Sequence, residues 1–329
     1  MTIISGIESD ELKIRKSETR QAILNNDKIE NKLHVVMVIS NPCNYKRRYQ
    51  LAKQFQRHMK EFDDIELYCT ELVYSDQKFN VTEKDNKNHL QLRTNAAPLW
   101  AKENLIAITI KKLLPENWKA VAWIDADIEF LNPLWADYTL RILNGHKDIV
   151  QLFSHCVDMD RNENTMQIFN SFGYQYDLGN KYKDRGHDFW HPGYCVAITR
   201  KAYEKMGGIF EYSILGSGDY NMMMAILGCS ESINNDSSNG YKQKLKELVK
   251  KCNNLRLGYV PSVCRHSYHG SKKNRQYSDR WKILVKHQYD PFTHIKKNED
   301  GLLIPTDDCP KQLLNDILTY FKERNEDDI

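Results

Sequence analysis

With 329 residues the chain has room for one large domain or two ordinary ones around a sizeable core. Its 47 Lys and Arg against 44 Asp and Glu leave a net charge of +3, too near neutral for a dedicated nucleic-acid binder, so any basic function must be local. Its 8 cysteines are scattered without a CxxC pair, which argues against a zinc ribbon or a disulfide-dense scaffold and favours reduced thiols.

Residues 1–32 read as a polar arm of mixed charge, with no apolar stretch long enough for a signal peptide or a membrane span. A soluble, cytoplasmic chain is the expectation, and on it the glycosylation patterns Asn80-Val81-Thr82 and Asn235-Asp236-Ser237 are chance matches. The fold is expected to start at Leu33. Residues 33–39 are a run rich in β-branched and other apolar residues, as in a strand buried on both faces, and Ser40-Asn41-Pro42 breaks it. Residues 47–60 carry Tyr49, Leu51, Ala52, Phe55 and Met59 near helical spacing, and 65–72 read as a second strand. The loop after the first parallel strand is where such folds meet nucleotides, which nominates Asn44, Arg47 and Arg48 for contacts to a base or phosphate. A solvated helix start would carry the same residues.

Residues 75–92 are polar and irregular. The next helix is expected to open around Pro98, with Leu105, Ile106, Ile110, Leu113 and Leu114 as its core stripe and Pro115 as its stop. Arg93, Lys102 and Asn104 at its opening turn are candidates to hold a nucleotide or orient carboxylates; exposed helix polarity is the plainer alternative. Residues 118–124 then form a strand that ends in Asp125-Ala126-Asp127. Side chains on a strand repeat every second position, so the two acids point the same way. Hard divalent cations such as Mn²⁺ and Mg²⁺ bind through one or two carboxylates while phosphate oxygens and water complete the shell. Asp125 and Asp127 are therefore candidate ligands of a metal beside a nucleotide diphosphate.

Two further stretches carry chemistry. In Arg265-His266-Ser267-Tyr268-His269-Gly270-Ser271-Lys272-Lys273-Asn274-Arg275, neutral imidazoles suit Mn²⁺, Gly270 admits close backbone approach, and Lys272, Lys273 and Arg275 can neutralise a leaving phosphate. The alternative is a basic surface loop. In Gly216-Ser217-Gly218-Asp219, just before a helical stretch at 222–227, Asp219 is a candidate general base or the cap of that helix. Residues 185–194 are rich in flat rings and hydrogen-bonding groups, the mixture a sugar acceptor would meet, with Trp190 and Tyr194 as the choices. His187 and His191 are four apart, yet Gly186 and Pro192 argue against the helix that would pair them on a second metal. Core packing is the alternative for the rings. Beyond a polar loop at 228–240, residues 241–253 read as a charged helix, 257–260 as a strand, and 282–289 and 312–321 as amphipathic helices. The acidic run 323–329 is expected to fray.

The order of a buried first strand followed by basic residues, Lys102-Glu103-Asn104, Trp123-Ile124-Asp125-Ala126-Asp127, Gly216-Ser217-Gly218-Asp219 and Arg265-His266-Ser267 resembles a GT-A nucleotide-sugar glycosyltransferase over roughly 33–281. Within that class it is most similar to the β-1,4-galactosyltransferase type, and the His-x-x-His-Gly segment also resembles glycosyltransferases of phages and large DNA viruses. The resemblance implies an α/β fold of GT-A type, Rossmann-like, with a mostly parallel central sheet flanked by helices and a smaller acceptor-side subregion. It divides the chain into the arm 1–32, a domain 33–290 with a nucleotide-sugar half (33–135) and an acceptor-side half bearing the metal histidine (136–290), and a helical tail 291–329. It implies a Mn²⁺- or Mg²⁺-dependent hexosyltransferase that uses a nucleotide-sugar donor, a UDP-sugar first, to glycosylate an acceptor hydroxyl with inversion. Asp127 is then a metal ligand, Asp125 a ligand or a contact to the donor, His266 the remote ligand and Asp219 the base. The acceptor can be a glycan or another hydroxyl-bearing molecule, with nucleic acid entering only as a modified base.

The sequence departs from the galactosyltransferase pattern in three places. Ser217 and a single Asp219 stand where the pattern has a tryptophan and paired acids. Val263 stands where it has a methionine ligand, so His269 replaces that ligand or binds phosphate. The membrane anchor of the animal enzymes has no counterpart. A nucleotidyltransferase would use the same carboxylates, but residues 40–48 lack the glycine-rich phosphate loop such enzymes use. A non-catalytic carbohydrate-binding protein on the same scaffold would not need Asp125, Asp127, Asp219 and His266 together.

Overall fold

The structure is a computed structural model that describes residues 3–4, 7–8, 18–182, 190–229, 236–276 and 279–328. His187, Asn235 and most of residues 1–17 lie outside the described residues.

The chain opens with a hairpin of β1 (Ile3–Ile4) and β2 (Ile7–Glu8), then α1 (Glu18–Asn25). The arm is docked: Asn26 donates to the carbonyls of Arg141 and Asn144, and Glu30 accepts from the Lys119 and Ala120 amides. The βαβ opening follows as β3 (Leu33–Ser40), α2 (Lys46–Met59) and β4 (Ile65–Tyr74). A strand at β5 (His89–Thr94) replaces the irregular stretch read from the sequence, and it carries Arg93. It lies at the edge of its sheet, where a polar sequence can sit. Helix α3 (Lys102–Leu113) starts four residues beyond Pro98, so its first turn holds Lys102 and Glu103 but not Arg93.

Next come β6 (Ala120–Ile124), β7 (Ile128–Phe130), α4 (Trp135–Ile142), β8 (Ile149–Gln151), β9 (His155–Met159) and β10 (Thr165–Ser171). Then follow α5 (Phe172–Asp177), β11 (Trp190–His191), β12 (Cys195–Thr199), α6 (Arg200–Met206), α7 (Gly218–Ile226) and α8 (Asn239–Cys252). The chain continues through β13 (Leu257–Tyr259), β14 (Val263–His266), a 3₁₀ turn at Lys272–Arg275 and α9 (Arg280–Lys286). The hairpin of β15 (Ile295–Lys297) and β16 (Leu303–Pro305) leads into α10 (Lys311–Glu323).

The central sheet has seven strands in the order β13-β8-β12-β6-β3-β4-β5. Every neighbouring pair is parallel except the two made by β12, which runs against β6 and β8. The expected mostly parallel α/β sheet is therefore present, drawing strands from both 33–135 and 136–290. Alternation on β3 sends Val35 and Met37 to a core with Phe55, Met59 and Trp135, while Val36 packs with Ile106, Ile110 and Met223 on the other face. Helices thus cover both faces, and β6 is buried at all five positions. Truncating one of these side chains, Trp123 for example, would cost about 3–5 kcal/mol.

The order β5-β4-β3-β6 grows outward from β3 in one direction and then jumps to its other side at β6. Chains leaving β3 and β6 diverge there, opening a crevice at the carboxyl ends of these strands, the standard ligand position in open α/β sheets. A second sheet, ordered β11-β10-β9-β14-β7, stands beside that crevice. Among the described residues no helix is long and apolar enough to cross a membrane. All eight cysteines are free thiols.

Candidate active site

Asp125 follows β6 and its amide donates to the Tyr194 carbonyl at 2.8 Å, which extends the β6–β12 pairing by one residue. The chain turns through Ala126, so Asp127 heads β7, and its carbonyl accepts from the Ser267 amide at 2.8 Å. Antiparallel pairing of β7 with β14 brings His266 opposite Ile128, while parallel pairing of β14 with β9 brings it beside Asp158. Two strand ladders therefore fix the position of a histidine about 140 residues from the acid it meets.

Asp127, His266 and His269 converge, with one ligand atom from each lying within 4.8 Å of the others. His269 Nε2 stands 2.8 Å and His266 Nε2 3.6 Å from Asp127 Oδ2. Burial works to raise the Asp127 carboxyl, but the two facing imidazoles outweigh it and hold the group well below the usual carboxylate range. His266 is the reciprocal case: burial opposes its protonation, and Asp127 with Asp158 raises its pKa nonetheless. The Asp158 carboxylate meets His266 Nδ1 at 2.6 Å, which leaves Nε2 to face Asp127. Asp127 Oδ1 is buried and has no hydrogen-bond partner. An orphaned carboxylate oxygen beside two imidazoles, one of them already oriented by an outer carboxylate, fits a divalent cation of the Mn²⁺ class.

Asp125 is turned away from this cluster. Its Oδ1 pairs with the Lys102 ammonium, and burial together with the Asp127 charge raises its carboxyl against the pull of that lysine. Lys102 is itself raised, burial being overcome by Asp125 and Asp219. Beside it Glu103 is buried, and burial pushes its carboxyl up to about 7.

These groups line a cavity of about 840 Å³. Six cations, Arg48, Lys102, Lys272, Arg275, Arg280 and Arg324, reach its wall against four carboxylates, Glu103, Asp125, Asp127 and Asp219. Behind the wall Asp158 pairs Lys272 and Glu326 pairs Arg48 and Arg324, so carboxylates match the cations in number, while the cationic groups that reach the cavity can meet the oxygens of a polyanion such as a diphosphate. Lys272 is held by Asp158 at 2.5 Å and Gln167 at 2.8 Å and sits over the Phe169 ring. Arg280 donates to Ser217 Oγ at 2.5 Å, and Arg324 donates to Glu326 at 2.6 Å.

Asp219 lies in the first turn of α7, where Ser217 rather than Asp219 takes the cap position. Its Oδ1 accepts from the Tyr220 amide at 2.8 Å, and its Oδ2 packs so closely on Gly193 that a Cβ there would meet it at 2.1 Å. The carboxylate thus lies on the cavity wall between α7 and the His191–Tyr194 turn.

Five nominated residues, Asn44, Arg47, Arg93, Asn104 and Lys273, lie outside the cavity lining, and Asn104 is spent on Glu211 and the Gly301 carbonyl at 2.8 and 3.0 Å. Asn44 accepts from the Tyr49 hydroxyl at 3.2 Å, Arg47 donates to the Tyr268 carbonyl at 2.9 Å, and Arg93 bonds the Ser75 carbonyl from the end of the edge strand. Helix α2 directs Arg48, not Arg47, at the cavity. The rings chosen for an acceptor are part of the core: Trp190 packs edge-on to Phe172 and Tyr182, and Tyr194 stacks on His191 at 3.6 Å and tilts over His266 at 4.7 Å. Each is only 6% exposed, so they shape the cavity wall rather than offer a platform. His191 lies on β11, not on a helix, and burial pushes its pKa down to about 3, so it is neutral.

The sequence reading missed Asp158, Arg280, Arg324 and Glu326. Asp158 left a signal, since a lone acid within Cys156-Val157-Asp158-Met159 must be paired if that run is buried. Glu326 left none, because it sits in a run of acids. The expected fraying does not reach Glu326, which is 1% exposed and bound by Arg48 and Arg324.

No family model matches the chain, and no curated protein does. Among solved structures it is similar to a variant of Drosophila β-1,4-galactosyltransferase 7 in complex with manganese, UDP-Gal and xylobiose, at 11% identity and a TM-score of 0.33, over 60% of this chain and 62% of that one. It is also similar to mannosyltransferase PcManGT from Pyrobaculum calidifontis with GDP-Man and Mn²⁺, at 11% identity and 0.39, over 85% and 72%. A third is S. aureus TarS in complex with UDP-GlcNAc, at 12% and 0.39, over 89% and 72%. The chain thus spans less than two thirds of the galactosyltransferase chain it matches.

Proposed function

We propose that the chain is a divalent-metal-dependent glycosyltransferase of GT-A type that moves a sugar from a nucleotide-diphosphate donor to an acceptor hydroxyl. The observation that carries this reading is the convergence of Asp127, His266 and His269, with an orphaned carboxylate oxygen, in a cavity rich in cations at the carboxyl ends of β3 and β6. Mn²⁺, or Mg²⁺ in its place, would be held by Asp127, His266 and His269, and when bound it supplies positive charge to a leaving diphosphate. Asp125, fixed by Lys102, faces the donor side. Arg275 and Lys272 bind phosphate oxygens, and Arg48, Arg280 and Arg324 add to the same field. Asp219 accepts the proton of the acceptor hydroxyl in a direct displacement that inverts the anomeric centre. A UDP-sugar is the first donor to test.

A nucleotidyltransferase remains the second reading from the carboxylates, but residues 40–48 offer no glycine-rich phosphate loop. A carbohydrate-binding protein without catalysis would leave the buried Asp127 cluster without a role. Incubation with a panel of nucleotide sugars and Mn²⁺, followed by measurement of donor hydrolysis, decides among them. Metal-dependent release of nucleoside diphosphate from at least one donor is the expected result; no turnover and no binding of any donor would overturn the enzyme reading.

A further inference from the structure

The two histidines of the cluster differ in how they are held. His266 Nδ1 is fixed by Asp158 at 2.6 Å, whereas His269 Nδ1 is buried and makes no hydrogen bond. The carboxylate facing it is Glu326, with Oε2 at 3.5 Å. Glu326 comes from the segment after α10, far along the chain from Asp127, His266 and His269. It is nevertheless rigidly seated, since Arg48 binds both its oxygens and Arg324 donates to Oε1 at 2.6 Å.

The segment 324–327 is clasped on two further sides. Helix α2 has no side-chain cap of its own, and Asp327 supplies one from a distance, accepting from the Lys46 and Arg47 amides at 3.0 and 2.8 Å. The Tyr45 hydroxyl donates to the Phe321 and Lys322 carbonyls at 2.8 Å and accepts from the Asn325 amide at 3.1 Å. On the other side Gly270, the residue after His269, has φ +89° and lies so close that a Cβ would meet Asn325 O and Glu326 Cα at 3.1 Å. The segment is therefore wedged between the start of α2 and the loop that carries His269.

We propose that Glu326 is a positioning residue for the metal centre: it orients His269 through Nδ1 so that Nε2 faces Asp127, as Asp158 does for His266. The inference rests on the metal reading above. Histidine ligands commonly present the second ring nitrogen to a carboxylate, and loss of such a partner typically costs 10–100-fold in metal affinity. Asp327, one residue on, holds the same segment but touches no ligand, so the two acids separate orientation from anchoring.

The test is Mn²⁺ binding to the full chain, read by electron paramagnetic resonance of free against bound ion, with thermal unfolding in parallel. Glu326→Gln is expected to weaken Mn²⁺ binding about tenfold or more. Asp327→Ala is expected to lower the unfolding temperature and leave Mn²⁺ affinity unchanged. If Glu326→Gln does not fold, the double variant Arg324→Gln/Glu326→Gln removes both members of the buried ion pair, leaves the partly exposed Arg48 to water, and is expected to fold with the same loss of affinity. A folded Glu326 variant, single or double, with unaltered Mn²⁺ affinity overturns the inference while the metal reading stands. Absence of Mn²⁺ binding by the unaltered chain overturns both.

Discussion

Replacing Glu103 by glutamine tests whether the cavity wall carries a buried carboxyl under strain from its surroundings. Glu103 is 4% exposed, and its carboxyl lies against Gly218, where a Cβ would meet Glu103 Cδ at 2.5 Å. Burial first, and the Asp219 charge after it, push the group from 4.5 up to about 7 against the pull of Lys102. The folded state therefore holds a proton that the unfolded state has released between about pH 4.5 and 7, so this group makes stability fall as pH rises through that window. Below the window both states are protonated and it contributes nothing. Above pH 7 the full cost applies, about 3 kcal/mol for the shift from 4.5 to about 7 at 1.36 kcal/mol per unit. Glutamine keeps the shape and cannot ionise. Urea unfolding of Glu103→Gln against the unaltered chain is expected to show near-equal stability at pH 4.5 and a gain of up to about 3 kcal/mol at pH 8.5. A variant equally or less stable across the whole range would refute a buried, raised carboxyl at this position.

Other outcomes follow from the same contacts. Gly218→Ala forces its new Cβ into the Glu103 carboxyl and is expected to destabilise by about 1–3 kcal/mol, measured by urea unfolding. Gly270→Ala is strained twice, by φ +89° and by the 3.1 Å approach of the 325–326 backbone, so it should lower both the unfolding temperature and Mn²⁺ affinity. Asp158→Asn removes the charged partner of His266 and should weaken Mn²⁺ binding by about 10–100-fold in titrations. Asp219→Asn is expected to reduce transfer to an acceptor while Mn²⁺ and donor binding persist; transfer at the unaltered rate would remove Asp219 from the base role.

Much of the fold was legible because it is written in buried runs. The stretches that became β3, β4 and β6 are mostly apolar on both faces, as strands of a helix-covered sheet are, and their bounds were nearly right. Strand β5, His-Leu-Gln-Leu-Arg-Thr, was missed because an edge strand need not be apolar, and that error misplaced Arg93 in a helix. The site was half legible. Asp127 stands out at the end of an apolar run, His266 and His269 stand out beside Gly270 and a group of cations, and the structure brings the three together. Trp190 and Tyr194 read as a sugar platform by composition, yet ring chemistry alone does not distinguish a binding face from a packed wall. Glu326 was invisible because burial of one acid in an acidic run depends, beyond its neighbour Arg324, on two distant partners, Arg48 and His269, which local pattern cannot supply.

The central claim is that Asp127, His266 and His269 together hold a divalent cation against a nucleotide diphosphate. Mn²⁺ titration of the unaltered chain and of Asp127→Ala, with and without UDP, tests it most directly. A bound ion whose affinity rises when UDP is present is expected, together with a folded Asp127→Ala variant that has lost it. An unaltered chain that binds no Mn²⁺, or a variant that binds it as tightly and still responds to UDP, would remove the metal site.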